Sequence, residues 1–203
     1  MIRKLISARS GASAAEFAIV LPLFLLFLFG IIDAGRWIWT YNQAEKATQM
    51  GARFAVVTDH IAPGIGTSFI GVGGLTQGDV IPASQFGSIV CTSAGCTCKT
   101  APCPTVGAAN SAAFNAVVAR MQLFLPTVSA ANVAVEYSSS GLGYAGDPYG
   151  ADLSPLITVS IGKEAGTNRL QFTPITTLLL ATMNMPFFTT TLPAEDMTGS
   201  QSN

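Results

Sequence analysis

The sequence predicts an α+β protein: a long N-terminal transmembrane helix, then a small exported domain with an antiparallel sheet, a second helix and a disulfide loop. Three observations carry that reading. An almost unbroken apolar run, Phe17–Ile32, follows three cations, Arg3, Lys4 and Arg9, and precedes two tryptophans, Trp37 and Trp39. Farther on, one stretch repeats apolar residues at helical steps and two others alternate apolar with polar residues. Four cysteines, Cys91, Cys96, Cys98 and Cys103, crowd into one short segment. The 203 residues thus divide into a basic leader, 1–11, a membrane and spine helix, 12–60, and an exported globular domain, 61–203.

A bilayer core about 30 Å thick calls for roughly 20 apolar residues of helix. Phe17–Ile32 alone falls short, but Ala14 and Ala15 extend it backward and Ala34, Gly35, Trp37 and Ile38 extend it forward. Trp37, Trp39 and Tyr41 suit the far interface, and the cations in front hold their end in the cytoplasm, so the C-terminal bulk is exported. A cleaved secretory signal peptide has a similar front. Against it, the run is long, and the nearest cleavage candidate, Asp33-Ala34-Gly35, puts an acid where a small residue is wanted. Pro22 removes one backbone hydrogen bond inside the run, a defect that membrane helices tolerate as a kink.

An ionisable side chain at mid-membrane costs on the order of 3 kcal/mol on insertion scales, and less near a helix end. Glu16 stands just inside the front edge of the run. It either rests at the interface or awaits a positive partner, because a buried carboxylate is tolerated when paired. Cutting the chain after Gly11 creates an amine on Ala12, four residues before Glu16 and on the same helical face. Between staggered neighbouring helices, the amine of one copy can meet the carboxylate of the next and fix the stagger.

The basic leader followed by Gly11-Ala12-Ser13-Ala14-Ala15-Glu16-Phe17 resembles the prepilin-peptidase site of type IV pilins. The longer string Ala15-Glu16-Phe17-Ala18-Ile19-Val20-Leu21-Pro22, then Phe29-Gly30-Ile31-Ile32-Asp33-Ala34-Gly35-Arg36, and later Gly51-Ala52-Arg53, resembles the TadE-like family. Those proteins are minor pilins or pseudopilins of the tight-adherence (Tad, Flp) pilus system. The resemblance covers about the first quarter of the chain and stops near Ala55. It implies a pilin-like N-terminal helix, cleavage between Gly11 and Ala12 by an inner-membrane aspartic prepilin peptidase, and a role for Glu16 and Phe17 in processing or assembly. It implies pilus assembly and surface adherence as the function. The implied partners are the inner membrane, the prepilin peptidase, other Tad pilins or pseudopilins and the Tad assembly platform.

Beyond the membrane, Asp33 and Arg36 lie three apart and can pair on one helical face. Ala44, Ala47, Gly51 and Ala55 form a narrow stripe of small residues, read as packing against the chain's own domain. The helix should run to about Asp59 and stop at Ala62-Pro63-Gly64. Residues 62–88 are rich in Gly, Ser and Thr and read as loop.

An even cysteine count in an exported domain reads as disulfides. Bonding of Cys96 to Cys98 is disfavoured by the strained ring it would close. Two pairings remain open: Cys91–Cys96 with Cys98–Cys103, or Cys91–Cys98 with Cys96–Cys103. A zinc site fits less well, since the C-x4-C-x-C-x4-C spacing lacks paired knuckles and no histidine is near.

Ala108–Leu125 reads as the second helix, with Phe114, Val117, Val118, Met121 and Leu125 on its core stripe and Pro126 closing it. In Asn132–Tyr137, Val133, Val135 and Tyr137 face one way and Ala134 and Glu136 the other. Leu156–Ile161 alternates likewise through Ile157, Val159 and Ile161. The Gly-rich loop between them holds Asp147 and Asp152, too few oxygens by themselves for a calcium cage. Arg169–Phe172 is read as prolonging this hairpin region, Pro174–Met185 as a short helix or buried segment packed on the sheet, and Phe187–Leu192 as the last strand. The tail from Pro193 is polar.

No catalytic constellation is present in the sequence. His60 is the single histidine, no serine lies in a G-x-S-x-G elbow, and Gly71-Val72-Gly73-Gly74 lacks the residues of a phosphate loop. An enzyme, a cofactor, a metal and a small-molecule substrate are therefore not expected. The formal net charge is −1, and loss of residues 1–11, with three cations and no acid, takes the same count to −4. A mildly acidic chain has no electrostatic footprint for nucleic acid. Charged residues are 10% and hydrophobic ones 49%, which suits a helix-anchored protein packed among neighbours. The rival reading is a bitopic inner-membrane module, a periplasmic binding protein or adhesin, that is never processed.

Overall fold

A helix of 46 residues, α1 (Ser10–Ala55), opens the chain in the computed structural model, which describes residues 10–148, 150–177, 181–195 and 197. The helix continues unbroken through Pro22. It ends four residues before the expected Asp59. The reason is local: Val56 and Val57 are β-branched, and the Thr58 hydroxyl donates to the Phe54 carbonyl at 2.8 Å. Val57 N–H meanwhile reaches the same Phe54 carbonyl, a tightened last turn.

The chain divides into two compact units. One comprises α1 up to Thr40 together with Gln171–Met183. The other comprises Tyr41–Leu170 and the chain from Asn184 onward.

The larger unit holds a five-stranded antiparallel sheet in the order β2-β1-β3-β4-β7. Its strands are β1 (Ser88–Thr92), β2 (Gly95–Thr100), β3 (Val133–Ser138), β4 (Leu156–Ile161) and β7 (Phe188–Pro193). The register sets Val133 against Ile161, Val135 against Val159 and Tyr137 against Ile157. These pairs form one buried face, joined by Ile89 and Cys91 from β1. The second helix, α2 (Ser111–Gln122), buries Phe114, Val117, Val118 and Met121. It starts later than expected because Asn110 caps it, its side-chain oxygen accepting from Ala113 N–H at 3.1 Å.

The small-residue stripe of α1 is spent at home, as expected: Ala44, Ala47, Gly51 and Ala55 are all buried. A Cβ on Gly51 would stand 2.7 Å from Met121 Cγ and 3.3 Å from Val159 Cγ1. Gly51→Leu is therefore expected to destabilise the domain by about 2 kcal/mol through overpacking, read as a lower denaturant midpoint. The chain leaving α1 is tied to the sheet where Ile61 N–H donates to the Tyr137 hydroxyl at 2.9 Å. Burial pushes the Tyr137 phenol well above its ordinary pKa, so it stays neutral.

Three expectations need correction. The cysteine segment is not all loop: Cys91, Cys96 and Cys98 lie on the β1–β2 hairpin and only Cys103 follows it, and β1 begins inside the stretch read as loop. Cys91 lies directly opposite Cys96, and the disulfides are Cys91–Cys96 and Cys98–Cys103, the neighbour pairing. Gly95, at φ +127°, supplies the turn residue that a side chain would strain. Next, Arg169–Phe172 does not extend the β3–β4 hairpin. Gln171–Phe172 (β5) pairs instead with Met183–Asn184 (β6) in a separate two-stranded ladder. Last, the described part of Pro174–Met185 contains no helix; there the Ile175 and Thr176 N–H groups donate to Asp33. Leu178, Leu179 and Leu180 lie outside the described residues, as do 1–9 of the leader.

Asp152 organises the Gly-rich loop. It accepts from Phe69 N–H at 2.6 Å, Gly146 N–H at 2.8 Å, Asp147 N–H at 3.0 Å and the Ser68 hydroxyl at 3.1 Å. Both carboxylate oxygens are thus occupied by donors, and they are not presented to a cation. Burial opposes the charge, but the hydrogen bonds from Gly146, Phe69, Ser68 and Asp147 together outweigh it and hold the carboxyl below its usual range. A depressed pKa adds stability that is complete above the unfolded value of about 3.9 and disappears as pH falls through the folded one. Acid titration of unfolding is expected to show that loss below about pH 4, and Asp152→Asn to flatten it.

Candidate functional site: an exposed apolar helix and an aspartate clamp

From Phe17 to Ile32 every side chain of α1 is exposed, with Phe17 at 65% and Phe27 at 68%. Isolated apolar residues on a surface need no explanation, but a continuous apolar cylinder marks a membrane or a protein partner. Among the described residues this is the one helix long and apolar enough to cross a membrane. Phe17 to Trp37 rises about 30 Å, the thickness of a bilayer core.

Gly11 lies exposed in the first turn, and Ala12 follows it in the same helix. Glu16 is also exposed and makes no ion pair or hydrogen bond with any described residue. Pro22 and Ile32 lie within the exposed apolar stretch. Gly11, Ala12, Glu16 and Phe17 therefore fall within about two helical turns, while Cys91, Cys96 and Cys98 belong to the sheet of the other unit and Cys103 follows it.

At the far end, Asp33 breaks the exposed pattern and is buried, at 4%. Its Oδ1 accepts from Ile175 N–H at 2.7 Å and from the Arg36 guanidinium at 2.9 Å. Its Oδ2 accepts from Thr176 N–H at 3.1 Å and from the Thr176 hydroxyl at 2.9 Å. The Arg36 guanidinium also sits over the Phe172 ring, 5.4 Å from its centroid. Asp33 thus clamps a distant strap, Gln171–Thr177, to the helix. Sequence reasoning found the Arg36 partner but not the strap. The available signal was an acid ending an apolar run, where a carboxylate needs several donors.

Among the described residues no three His, Cys, Asp or Glu side chains converge as a metal site requires. The described chain thus joins an exposed apolar helix, a candidate membrane span, to an α+β domain.

A model of the TadE-like protein family matches residues 11–53, which is α1 almost end to end. The match is consistent with a TadE-like protein and supports an association with the Tad pilus, whose TadE-like family is structural rather than enzymatic. No curated protein and no solved structure gives a significant match to the chain.

Proposed function

We propose that the chain is a minor pilin or pseudopilin that takes part in Tad pilus assembly and adherence. In this reading residues 1–11 are a cytoplasmic leader, 12–60 the membrane and spine helix, and 61–203 the periplasmic domain. An inner-membrane prepilin peptidase cuts between Gly11 and Ala12. The helix then passes from lipid into a bundle of other Tad pilin helices on the assembly platform. That transfer exchanges one apolar surrounding for another, so it costs little. Direction comes from Glu16, which gains the Ala12 amine of a neighbour as its partner.

The observation that carries the reading is Glu16 itself: a carboxylate without a described partner, at the front of the exposed apolar stretch Phe17–Ile32. The test is Gly11→Leu expressed beside an active prepilin peptidase. The wild-type chain is expected to lose its leader and enter sheared pilus fractions, and the variant to keep the leader and remain in the membrane. A variant that enters pili as efficiently as wild type contradicts the proposal and favours the unprocessed anchor.

A further inference from the structure

Between α1 and the strap lies an apolar groove of about 400 Å³. Gly30, Ala34, Trp37 and Ile38 form its helix wall, and Phe172 of the strap and Met183 of β6 line the other side. A Cβ on Gly30 meets nothing within 4 Å, so this wall is open. The only acid lining the groove, Asp33, is satisfied by Arg36, Ile175 and Thr176. Arg36, half-exposed beside it, is the only cation among the described residues of this unit.

We propose that this groove holds an acyl chain of an outer-leaflet phospholipid, with the headgroup phosphate toward Arg36. The inference rests on the reading that α1 spans the membrane. If it does, the groove continues the lipid-facing surface without a break at Gly30, about 20 Å beyond Phe17, in the outer half of the bilayer. The occupant is chosen by size and charge. A cavity of about 150 Å³ already accommodates one benzene ring. A single aromatic knob from a neighbouring helix would leave most of this groove empty, whereas an acyl chain fills it along its length. The Arg36 guanidinium donates to Asp33 through one nitrogen and is half-exposed, which leaves N–H donors beside the groove for a phosphate.

The test uses the full chain in nanodiscs containing phosphatidylglycerol with a photoactivatable diazirine in its acyl chain, read by peptide mapping. Labelling is expected at Phe172 and Pro174 on the strap and at Met183 of β6, as well as along Phe17–Phe27. Gly30→Leu and Ala34→Leu fill the groove with methylenes and are expected to cut strap labelling about tenfold while labelling of Phe17–Phe27 is unchanged. Labelling confined to Phe17–Phe27 in the wild type overturns the groove proposal and leaves the membrane reading standing. Labelling nowhere on α1 overturns both.

Discussion

Glu16→Ala is expected to leave the chain in the membrane and to abolish its entry into the pilus. Insertion depends on the apolar run, and removing a carboxylate from its edge makes insertion easier by up to about 3 kcal/mol. Assembly depends on the carboxylate. In the packed bundle the Ala12 amine of a neighbour would face alanine and stay charged without a partner. Removing one member of a buried pair costs about 3–5 kcal/mol, which is a hundredfold or more in an association equilibrium. Carbonate extraction checks insertion, and the amount of chain in sheared pili checks assembly. Glu16→Gln is expected to recover little, because an amide accepts a hydrogen bond but supplies no opposite charge. Normal piliation in the Glu16→Ala strain would show that the amine has no need of this partner.

Asp33→Ala is expected to release the strap. The carboxylate accepts from Ile175 N–H, Thr176 N–H, the Thr176 hydroxyl and Arg36. Alanine leaves these donors without their acceptor, at about 1–3 kcal/mol for each one that stays buried. Release of the strap is a local opening, so the loss appears as local detachment rather than global unfolding. Amide hydrogen exchange at Ile175 and Thr176 is expected to accelerate by about a hundredfold, the equivalent of roughly 3 kcal/mol of lost protection. Unchanged exchange at both amides would mean that the strap is held by something other than Asp33.

The Asp33 clamp also shows where sequence reading stops. Its near partner, Arg36, is three residues away and readable from helical spacing. Its strap partners are more than 140 residues away and leave no periodic mark. The same divide separates the strands. Leu156–Ile161 is β4 residue for residue, because strict alternation against a buried face specifies it. Gly95–Thr100 gave no such signal: Gly, Cys, Thr, Cys, Lys and Thr lie at a sheet edge with little buried on either face. Its strand character comes from pairing with β1, in which Cys91 faces Cys96. The stripe Ala44, Ala47, Gly51 and Ala55 was legible in kind and destination, since small residues at helical steps mark a close approach and soluble helices bury their stripe at home. Gly11, Ala12, Glu16 and Phe17 owe their proposed roles to order along one helix, and that order is fully present in the sequence.

The central claim is that proteolysis supplies the amine Glu16 requires. N-terminal sequencing of the protein recovered from piliated cells tests it most directly. The expected first residue is Ala12, with Glu16 fifth. A first residue of Met1, in cells whose prepilin peptidase is active, contradicts the account.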